Sequence, residues 1–364
     1  MKRILFLADV NSAHTRKWAV SLAEKGFTIG IFSLGEPESD WYKGKNISVF
    51  SAEIGKRKFS SVSFSKISYL KSVPYVKKII RKFKPDILHA HYATSYGIIG
   101  VCTGFHPYII SAWGSDVMDL PNKSFLHKLI LKRILSKADK LFATSKTIEK
   151  CIHRVIKKNV VITPFGIDTE IFKPMKVPSV FRDGEFVIGT IKSLEKVYCI
   201  DILLKTFAQI KKDNSNIKLM IVGEGNQKKE LESLVKKLKI EKDVLFTGKI
   251  DHADVARYHN TIDIFVNIPE RESFGVSVLE AMGCGKPVIV TDTGGLGEIV
   301  KDDSVGFKVP VRDAHSLSEK LNLLLANSEL RKTIGRNAQK HVLQNYNWKK
   351  NLEQIITEYE NLLK

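Results

Sequence analysis

The stretch IFVNIPERESFGVSVLEAMGCGKPVIVTD, residues 264–292, contains two apolar runs on either side of a polar loop and a helical segment. The flanking runs, IFVNIP and PVIVTD, are rich in β-branched residues and apolar on both faces, as buried strands of a parallel sheet are. FGVSVLEAMG between them has the composition of a short helix. Strand, helix and strand in this order predict a βαβ unit with parallel strands.

The same alternation recurs along the whole chain in two sets of apolar runs, which predict two sheets. The first set is RILFLAD (3–9), TIGIFS (28–33), ISVFSA (47–52), DILHAHY (86–92), YIISAW (108–113), KLFATS (140–145) and VVITPFG (160–166). The second set is FVIGTIKS (186–193), IKLMIVGEG (217–225), VLFTGKI (244–250), IFVNIP (264–269), PVIVTD (287–292) and VGFKVP (305–310).

The stretch between the two sets, FGIDTEIFKPMKVPSVFRDGEF, contains prolines and lacks helical periodicity, so it predicts an interdomain linker. We therefore expect two doubly wound α/β domains facing each other across a cleft, residues 1–172 and 173–345. The final segment, 346–364, predicts a helix with one apolar side that docks back on the N-terminal domain. Ligands of such sheets bind beyond the carboxyl ends of the strands.

Composition excludes several other classes. A chain of 364 residues with 43% hydrophobic residues is typical of a globular protein with two cores. No apolar run approaches the ~20 residues of a membrane span, and the run in MKRILFLADV is too short for a signal peptide, so we expect a cytoplasmic protein. Four widely separated cysteines fit a reducing compartment and form neither a zinc-ligand pattern nor a disulfide framework.

The net charge of +19 is concentrated in the first half of the chain. Residues 1–172 contain 28 Lys+Arg and 13 Asp+Glu, which gives +15. The densest segment is 53–84, where basic residues are interleaved with aromatic ones. It could be a solvated helix face, a surface attracted to anionic lipid, or a nucleic-acid surface, although no nucleic-acid motif accompanies it.

Two carboxylates, Glu272 and Glu280, flank the predicted start of the helix at Gly275. A helix N-terminus that begins at a glycine offers backbone amides to a phosphate. A carboxylate can accept hydrogen bonds from both hydroxyls of a diol. A ligand with a diol on each side of a diphosphate is a sugar nucleotide. The alternative is two ordinary carboxylates stabilised by the helix dipole.

The spacing Glu-x7-Glu followed by AMGCGKPVIVTDTGGLGEIV closely resembles the donor-binding signature of the retaining family 4 glycosyltransferases. Further segments are similar to that family's interdomain passage, phosphate-binding loop, and sheet and base-binding loops. They are PFGIDTEIFKP, GTIKSLEKVYCIDILL, IVGEG and LFTGKI. The resemblance covers nearly the whole chain and implies the GT-B fold.

The resemblance also implies site roles. Glu280 would hold the donor ribose and Glu272 the transferred hexose, while Lys192 and Lys196 would neutralise the departing diphosphate. The alternative for the two lysines is that they are surface residues after a strand. The implied catalytic set is therefore Glu272, Lys192 and Lys196. The remaining donor-binding residues would be Phe274, Gly275, Val276, Ser277, Gly223, Gly248 and Lys249, with the base against the backbone near Thr247, Gly248 and Lys249. No Asp-x-Asp occurs in the sequence, so we expect neither a metal nor another cofactor.

The acceptor side departs from the family pattern. Trp113 stands where many relatives have a histidine in the cleft loop; it can stack on a sugar but cannot act as a base. Asp116 could bind a sugar hydroxyl or cap a helix. Of His89 and His91 we expect one to face the cleft, with His91 as the candidate sugar or acceptor contact, and the other to face the interior. The alternative is a purely structural pair. Asn11 and His14, in a loop where many relatives have glycines, could contact the acceptor or phosphate, although Asn11 or Ser12 could instead cap the helix.

These features predict a retaining, metal-independent glycosyltransferase that takes a hexose or N-acetylhexosamine from a nucleotide diphosphate sugar, with UDP favoured by family frequency. We expect a glycan or lipid-linked acceptor in cell-surface polysaccharide biosynthesis (capsule, exopolysaccharide or lipopolysaccharide), reached at an anionic membrane surface through the basic N-terminal domain. Two alternatives remain open: a sugar-nucleotide epimerase of the same fold and a non-catalytic sugar-nucleotide-binding protein. Nucleic acid is not expected as a partner.

Overall fold

A computed structural model describes residues 2–52, 69–178, 180–182 and 184–364, which form two compact units. Unit 1 comprises Met1–Phe165 and Lys350–Lys364, and unit 2 comprises Gly166–Lys349. The predicted linker therefore lies at the start of unit 2. Residues 53–68 of the predicted basic segment lie outside the described residues.

Unit 1 is built on a seven-stranded parallel sheet in the order β3-β2-β1-β4-β5-β6-β7. Its strands are β1 (Arg3–Leu7), β2 (Thr28–Ser33), β3 (Ile47–Ser51), β4 (Ile87–His91), β5 (Tyr108–Ala112), β6 (Lys140–Ala143) and β7 (Val160–Ile162). Its helices before the linker are α1 (Ala13–Glu24), α2 (Val73–Phe83), α3 (Tyr96–Thr103), α4 (Ser115–Met118), α5 (Phe125–Lys137) and α6 (Lys146–His153).

Alternate side chains of the central strand β1 point to the two faces of this sheet, because successive side chains of a strand alternate in direction. Leu5 and Leu7 belong to the core that also contains buried residues of α2, α3, α5 and α6. Phe6 instead packs against Trp18 of α1, with ring centroids 6.5 Å apart. Unit 1 is thus a three-layer sandwich with helices on both faces.

Unit 2 repeats this plan with a six-stranded parallel sheet in the order β10-β9-β8-β11-β12-β13. Its strands are β8 (Phe186–Ile191), β9 (Ile217–Val222), β10 (Val244–Gly248), β11 (Ile264–Asn267), β12 (Val288–Thr291) and β13 (Phe307–Val309). Its helices are α7 (Ile200–Ile210), α8 (Lys228–Leu238), α9 (Val255–Thr261), α10 (Val276–Gly283), α11 (Leu296–Ile299), α12 (Ala314–Ala326) and α13 (Ser328–Asn345).

The last helix, α14 (Trp348–Leu362), returns the chain to unit 1. It buries Leu352, Ile355 and Tyr359, as its apolar stripe predicts. Its Tyr359 hydroxyl lies 2.7 Å from Nδ1 of His89 in β4. Glu358 forms an ion pair with Lys140 of β6. These contacts attach α14 to the sheet face that α1 also covers.

Each of the thirteen predicted apolar runs contains a strand, which confirms the predicted fold class of two Rossmann-like domains. The predicted runs extend beyond the strands mainly at their carboxyl ends. Apolar and small residues continue there into the loops that carry the candidate site residues, so composition does not mark where the ladder stops. None of the helices in the described part of the chain has the length and apolarity needed to cross a bilayer.

Candidate functional site

The order of strands in the unit 2 sheet reverses between β8 and β11: earlier strands extend to one side of this point and later strands to the other. In doubly wound sheets the loops diverge at such a switch point, and the crevice at the carboxyl ends of the strands binds ligands. Lys192 directly follows β8, and Glu272 lies in the loop after β11. Lys192 Nζ is 2.5 Å from Glu272 Oε2, with side-chain exposures of 17% and 11%. The two residues to which the resemblance assigns separate roles therefore form one partly buried ion pair.

An aromatic ring also holds the Lys192 ammonium in place. Its Nζ lies 4.6 Å from the ring centroid of Tyr198, a cation–π distance. Tyr198 was not among the predicted site residues. Lys196, two residues before Tyr198 in the same turn, is exposed. The loop after β8 thus presents one restrained cation and one exposed cation.

Helix α10 begins as predicted, at Gly275, which is its N-cap residue with φ 104°. The backbone angle requires glycine, and a Cβ at this position would also displace the Leu296 side chain, whose Cδ2 lies 2.4 Å away. The first amides of the helix have no partner within it, which favours an anion. Ser277 Oγ in the first turn is buried without a hydrogen-bond partner among the described residues. The neighbouring Phe274 is buried and Val276 is half-buried.

Two glycines outside the predicted site, Gly294 and Gly295, hold the loop carrying Glu272. The Gly295 amide donates to the Glu272 carbonyl oxygen at 3.2 Å. A Cβ on Gly294 would lie 1.6 Å from the same oxygen. Such a close approach of two backbones excludes any side chain. The Gly-Gly pair in TDTGGLGEIV is the sequence feature that indicates it.

Glu280 is in the second turn of α10, and its Oε2 lies 3.3 Å from Nε2 of His259. The His259 side chain is fully buried and that of Glu280 is 12% exposed. His259 was not among the predicted site residues, because nothing in the local pattern of α9 distinguishes it. His259 directs the carboxylate that the resemblance assigns to the ribose.

Two predicted donor-binding glycines lie at the ends of neighbouring strands, Gly223 just after β9 and Gly248 at the end of β10. The Gly223 amide donates to the Gly248 carbonyl oxygen at 3.0 Å. A Cβ at Gly223 would be 2.0 Å from the Lys192 carbonyl oxygen, so this glycine lets the end of β9 approach the loop after β8. Lys249 is exposed and Thr247 is half-buried. In the described part of the chain, no group of three or more His, Cys, Asp or Glu residues is placed to hold a metal ion.

The switch point of unit 1 lies between β1 and β4, and predicted acceptor residues meet there. Trp113, after β5, has its ring centroid 4.7 Å from that of His91 and 5.8 Å from that of His14. His14 in turn stacks on Phe165, with centroids 3.8 Å apart and planes at 9°. Phe165 was not among the predicted site residues, because no local pattern links it to α1, to β4 or to the loop after β5.

The prediction that one of His89 and His91 faces outward is wrong. Residues i and i+2 of a strand point to the same face, and the two side chains are 0% and 1% exposed. His89 bonds to Tyr359 and to Ser111 Oγ, the latter at 2.7 Å, whereas neither His91 nitrogen has a partner among the described residues. Burial lowers the pKa of His91 to about 3, with a smaller effect from His14. His91 is therefore a neutral residue beneath Trp113.

Asp116 fixes the backbone of the loop that carries Trp113. Its buried carboxylate accepts backbone N–H bonds from Ala93 at 2.7 Å, Gly114 at 2.8 Å and Trp113 at 3.3 Å. Burial raises its pKa, and these backbone bonds oppose the shift. The N-cap residue of α4 is Gly114, so the predicted capping role of Asp116 is wrong. At 1% exposure, its carboxylate is also turned away from solvent.

Asn11 connects two loops of the same edge. Its Nδ2 donates to the Glu36 carbonyl oxygen and its Oδ1 accepts from the Glu38 amide, both at 2.9 Å. The N-cap residue of α1 is Ser12, with no side-chain cap bond. Asn11 therefore fixes the loop after β2, and its predicted ligand contact stays a prediction.

Comparison with known proteins agrees with this architecture. The family model for glycosyl transferases group 1 matches residues 172–341, and the model for glycosyl transferase 4-like proteins matches residues 3–145. An uncharacterized glycosyltransferase of Methanocaldococcus jannaschii is 30% identical over 304 residues, 82% of either chain. The chain belongs to the group 1, family 4-like glycosyltransferases.

Two further matches describe what the glycosyltransferase is similar to. One is N,N'-diacetylbacillosaminyl-diphospho-undecaprenol alpha-1,3-N-acetylgalactosaminyltransferase of Campylobacter jejuni, 27% identical over 79% of this chain and 80% of that one. The other is the structure of Anabaena HepE in complex with UDP and glucose, with a TM-score of 0.81 at 19% identity, covering 99% of this chain and 100% of that one. The latter shows that the fold is GT-B.

Proposed function

We propose that this glycosyltransferase transfers a hexose or N-acetylhexosamine, with retention of configuration, from a UDP-sugar to a glycan or lipid-linked acceptor in cell-surface polysaccharide assembly. The observation that carries the proposal is the Lys192–Glu272 ion pair at the switch point of unit 2, beside the glycine-capped start of α10. The HepE complex with UDP and glucose supports UDP as the nucleotide.

On the donor side, the bond that breaks joins the anomeric carbon to a phosphate oxygen, so negative charge grows on the diphosphate. Lys192 and the first amides of α10 neutralise that charge in the proposed site. They stabilise the transition state more than the bound donor, which is what accelerates the reaction. Glu272 holds Lys192 through its carboxylate and exchanges part of that contact for a sugar hydroxyl when donor binds.

On the acceptor side, Trp113 offers an aromatic face to a sugar ring, and the basic surface of unit 1 attracts an anionic lipid carrier. The Campylobacter relative, whose name specifies a diphospho-undecaprenol acceptor, supports a lipid-linked substrate. Retention follows from same-face substitution. The acceptor hydroxyl oxygen bonds to the anomeric carbon, the carbon–phosphate oxygen bond breaks, and the hydroxyl proton passes to the departing phosphate.

Titration calorimetry with UDP, GDP and ADP tests the donor site. We expect selective binding of UDP and a loss of at least about tenfold in affinity for Glu280→Ala, which corresponds to about 1.4 kcal/mol. Glu319→Ala is the matched control, because Glu319 also pairs with a histidine at 3.3 Å but on an exposed helix face. Absence of binding to all three nucleotides by the folded protein would overturn the proposal.

Product analysis separates the transferase from its alternatives. With a UDP-sugar and acceptor, a transferase releases UDP in step with acceptor glycosylation. An epimerase converts free donor without releasing UDP, and a binding protein releases none. Either of the last two results would contradict transfer while leaving the donor site in place.

A further inference from the structure

Helix α5 is apolar on two opposite sides. Its inner side, Leu131, Ile134 and Leu135, is buried in the unit 1 core. Its outer side carries Phe125, Leu126, Leu129 and Ile130, with exposures of 76%, 63%, 46% and 41%. Positions i, i+1, i+4 and i+5 form one continuous stripe on a helix. These four are the largest group of exposed large apolar residues on any one helix in the described part of the chain.

The outer side of α5 is also strongly basic. Residues 120–138 contain five cations and no Asp or Glu; the cations are Lys123, Lys128, Lys132, Arg133 and Lys137. Lys128, Lys132, Arg133 and Lys137 are exposed on the helix itself. The apolar stripe occupies the first half of the helix, and basic residues dominate the second half. No carboxylate of this segment competes for the cations.

The same helical layer supplies a second basic element. Helix α2 lies on the same face of the sheet as α5, since both contribute to one core with α3. Its outward residues Lys77, Lys78, Arg81 and Lys82 are exposed. In α2 the apolar residues Val76, Ile79 and Phe83 are buried, so this helix offers charge without an apolar stripe.

We propose that the outer side of α5 (Phe125, Leu126, Leu129 and Ile130 with its flanking cations) inserts into the surface of an anionic phospholipid bilayer. An exposed apolar stripe bordered by lysines and arginines matches the acyl boundary and the anionic headgroups of such a surface. A protein partner that covered this stripe would need a row of carboxylates opposite five cations, whereas an anionic bilayer supplies both complements at once. The exposed cations of α2 add attraction over the Debye length.

The proposal rests on the proposed function in one respect only: membrane binding would bring the glycosyltransferase to a lipid-linked acceptor. Vesicle binding needs neither donor nor acceptor. Failure of membrane binding therefore leaves the donor site intact, and failure of nucleotide binding leaves α5 intact.

Co-sedimentation of the full chain with vesicles tests the proposal. We expect a partition coefficient at least about tenfold higher for vesicles containing phosphatidylglycerol than for pure phosphatidylcholine, decreasing as salt is raised. Phe125→Ser/Leu129→Ser should reduce binding to the anionic vesicles at least tenfold, and Lys132→Gln/Arg133→Gln should reduce it most at low salt. UDP affinity and the unfolding temperature should stay unchanged in both variants.

The control is Leu323→Ser/Leu343→Ser, which removes two exposed apolar residues, 43% and 42% exposed, from helices of unit 2. This control should bind vesicles as the wild type does. Equal loss in control and α5 variants would overturn the assignment to α5. No vesicle binding by the wild type would also overturn it, as would self-association that the α5 substitutions abolish, since a second copy would then cover the stripe.

Discussion

Lys192 is the residue on which the proposed chemistry depends most directly. Its ammonium is positioned by Glu272 at 2.5 Å and by the Tyr198 ring at 4.6 Å. Removing a preorganised group that stabilises transition-state charge typically lowers turnover by about 10² to 10³. We expect Lys192→Ala to reduce kcat/KM by about that factor, measured as UDP release with saturating acceptor.

Charge and geometry at this position can be separated. Lys192→Arg should retain more activity than Lys192→Ala, because it keeps the cation while changing its shape. Lys211→Ala is the control, since Lys211 forms an ion pair with Asp243 at 2.9 Å that is similarly buried, with side-chain exposures of 17% and 20%. Equal activity of Lys192→Ala and the control would show that Lys192 does not act on the leaving group.

His91 makes the stability of unit 1 depend on pH. Burial lowers its pKa to about 3, so between pH 6.5 and 3 the unfolded chain binds a proton that the folded chain does not. The free energy of unfolding therefore keeps its full value above the pKa of His91 in the unfolded chain. It falls as the pH drops from about 6.5 towards 3, by up to about 1.4 kcal/mol per pH unit.

We expect His91→Leu to flatten this dependence and to be neutral or stabilising at pH 7, because neither ring nitrogen has a partner among the described residues. Thermal unfolding between pH 4.5 and 7.5 measures it, with the exposed His315→Leu as control. A slope unchanged from that of the wild type would contradict the neutral, buried assignment. Loss of turnover with intact UDP binding would instead support the predicted acceptor contact.

Helix α10 shows how one backbone position sets an element's function. Gly275 has φ 104°, and an added Cβ would meet Leu296 at 2.4 Å. An L-residue in this region costs roughly 1–2 kcal/mol, and relief of that strain would reorient the first amides of the helix. We expect Gly275→Ala to weaken UDP binding at least about tenfold by calorimetry.

Gly26→Ala is the control for backbone strain alone, because Gly26 has φ 89° with no atom within 4 Å of a built Cβ. It should lower stability by a similar amount without changing UDP affinity. If Gly275→Ala bound UDP normally, the start of α10 would not be the diphosphate site.

At the scale of elements, the sequence predicted the strands better than it predicted which side chains from different segments would be in contact. Period and β-branched composition located every strand core, since each strand is apolar on both faces. His259 and Phe165 were missed because their functional neighbours, Glu280 and His14, lie in other segments of the chain. The prediction that His89 and His91 face opposite ways was wrong for a local reason, because side chains two residues apart in a strand point to the same face. Gly294 and Gly295 were visible as a motif, but their role depends on the backbone of another loop.

The whole molecule carries a formal net charge of +19, and its candidate donor site contains protein cations at the position where charge develops. Lys192, Lys196 and the start of α10 can supply the neutralisation that a divalent ion supplies in other transferases. We therefore expect the rate of transfer to be unchanged by an excess of EDTA, measured as UDP release coupled to acceptor glycosylation. Vesicle-bound and free enzyme should behave alike, because chelation does not alter the cations of α5.

A loss of transfer rate of about tenfold or more that Mg²⁺ or Mn²⁺ restores would contradict this and would show that a metal carries the diphosphate charge. If Lys192→Ala became dependent on Mg²⁺ while the wild type did not, the ion would be replacing the missing ammonium, which is the outcome that the charge argument predicts for the variant.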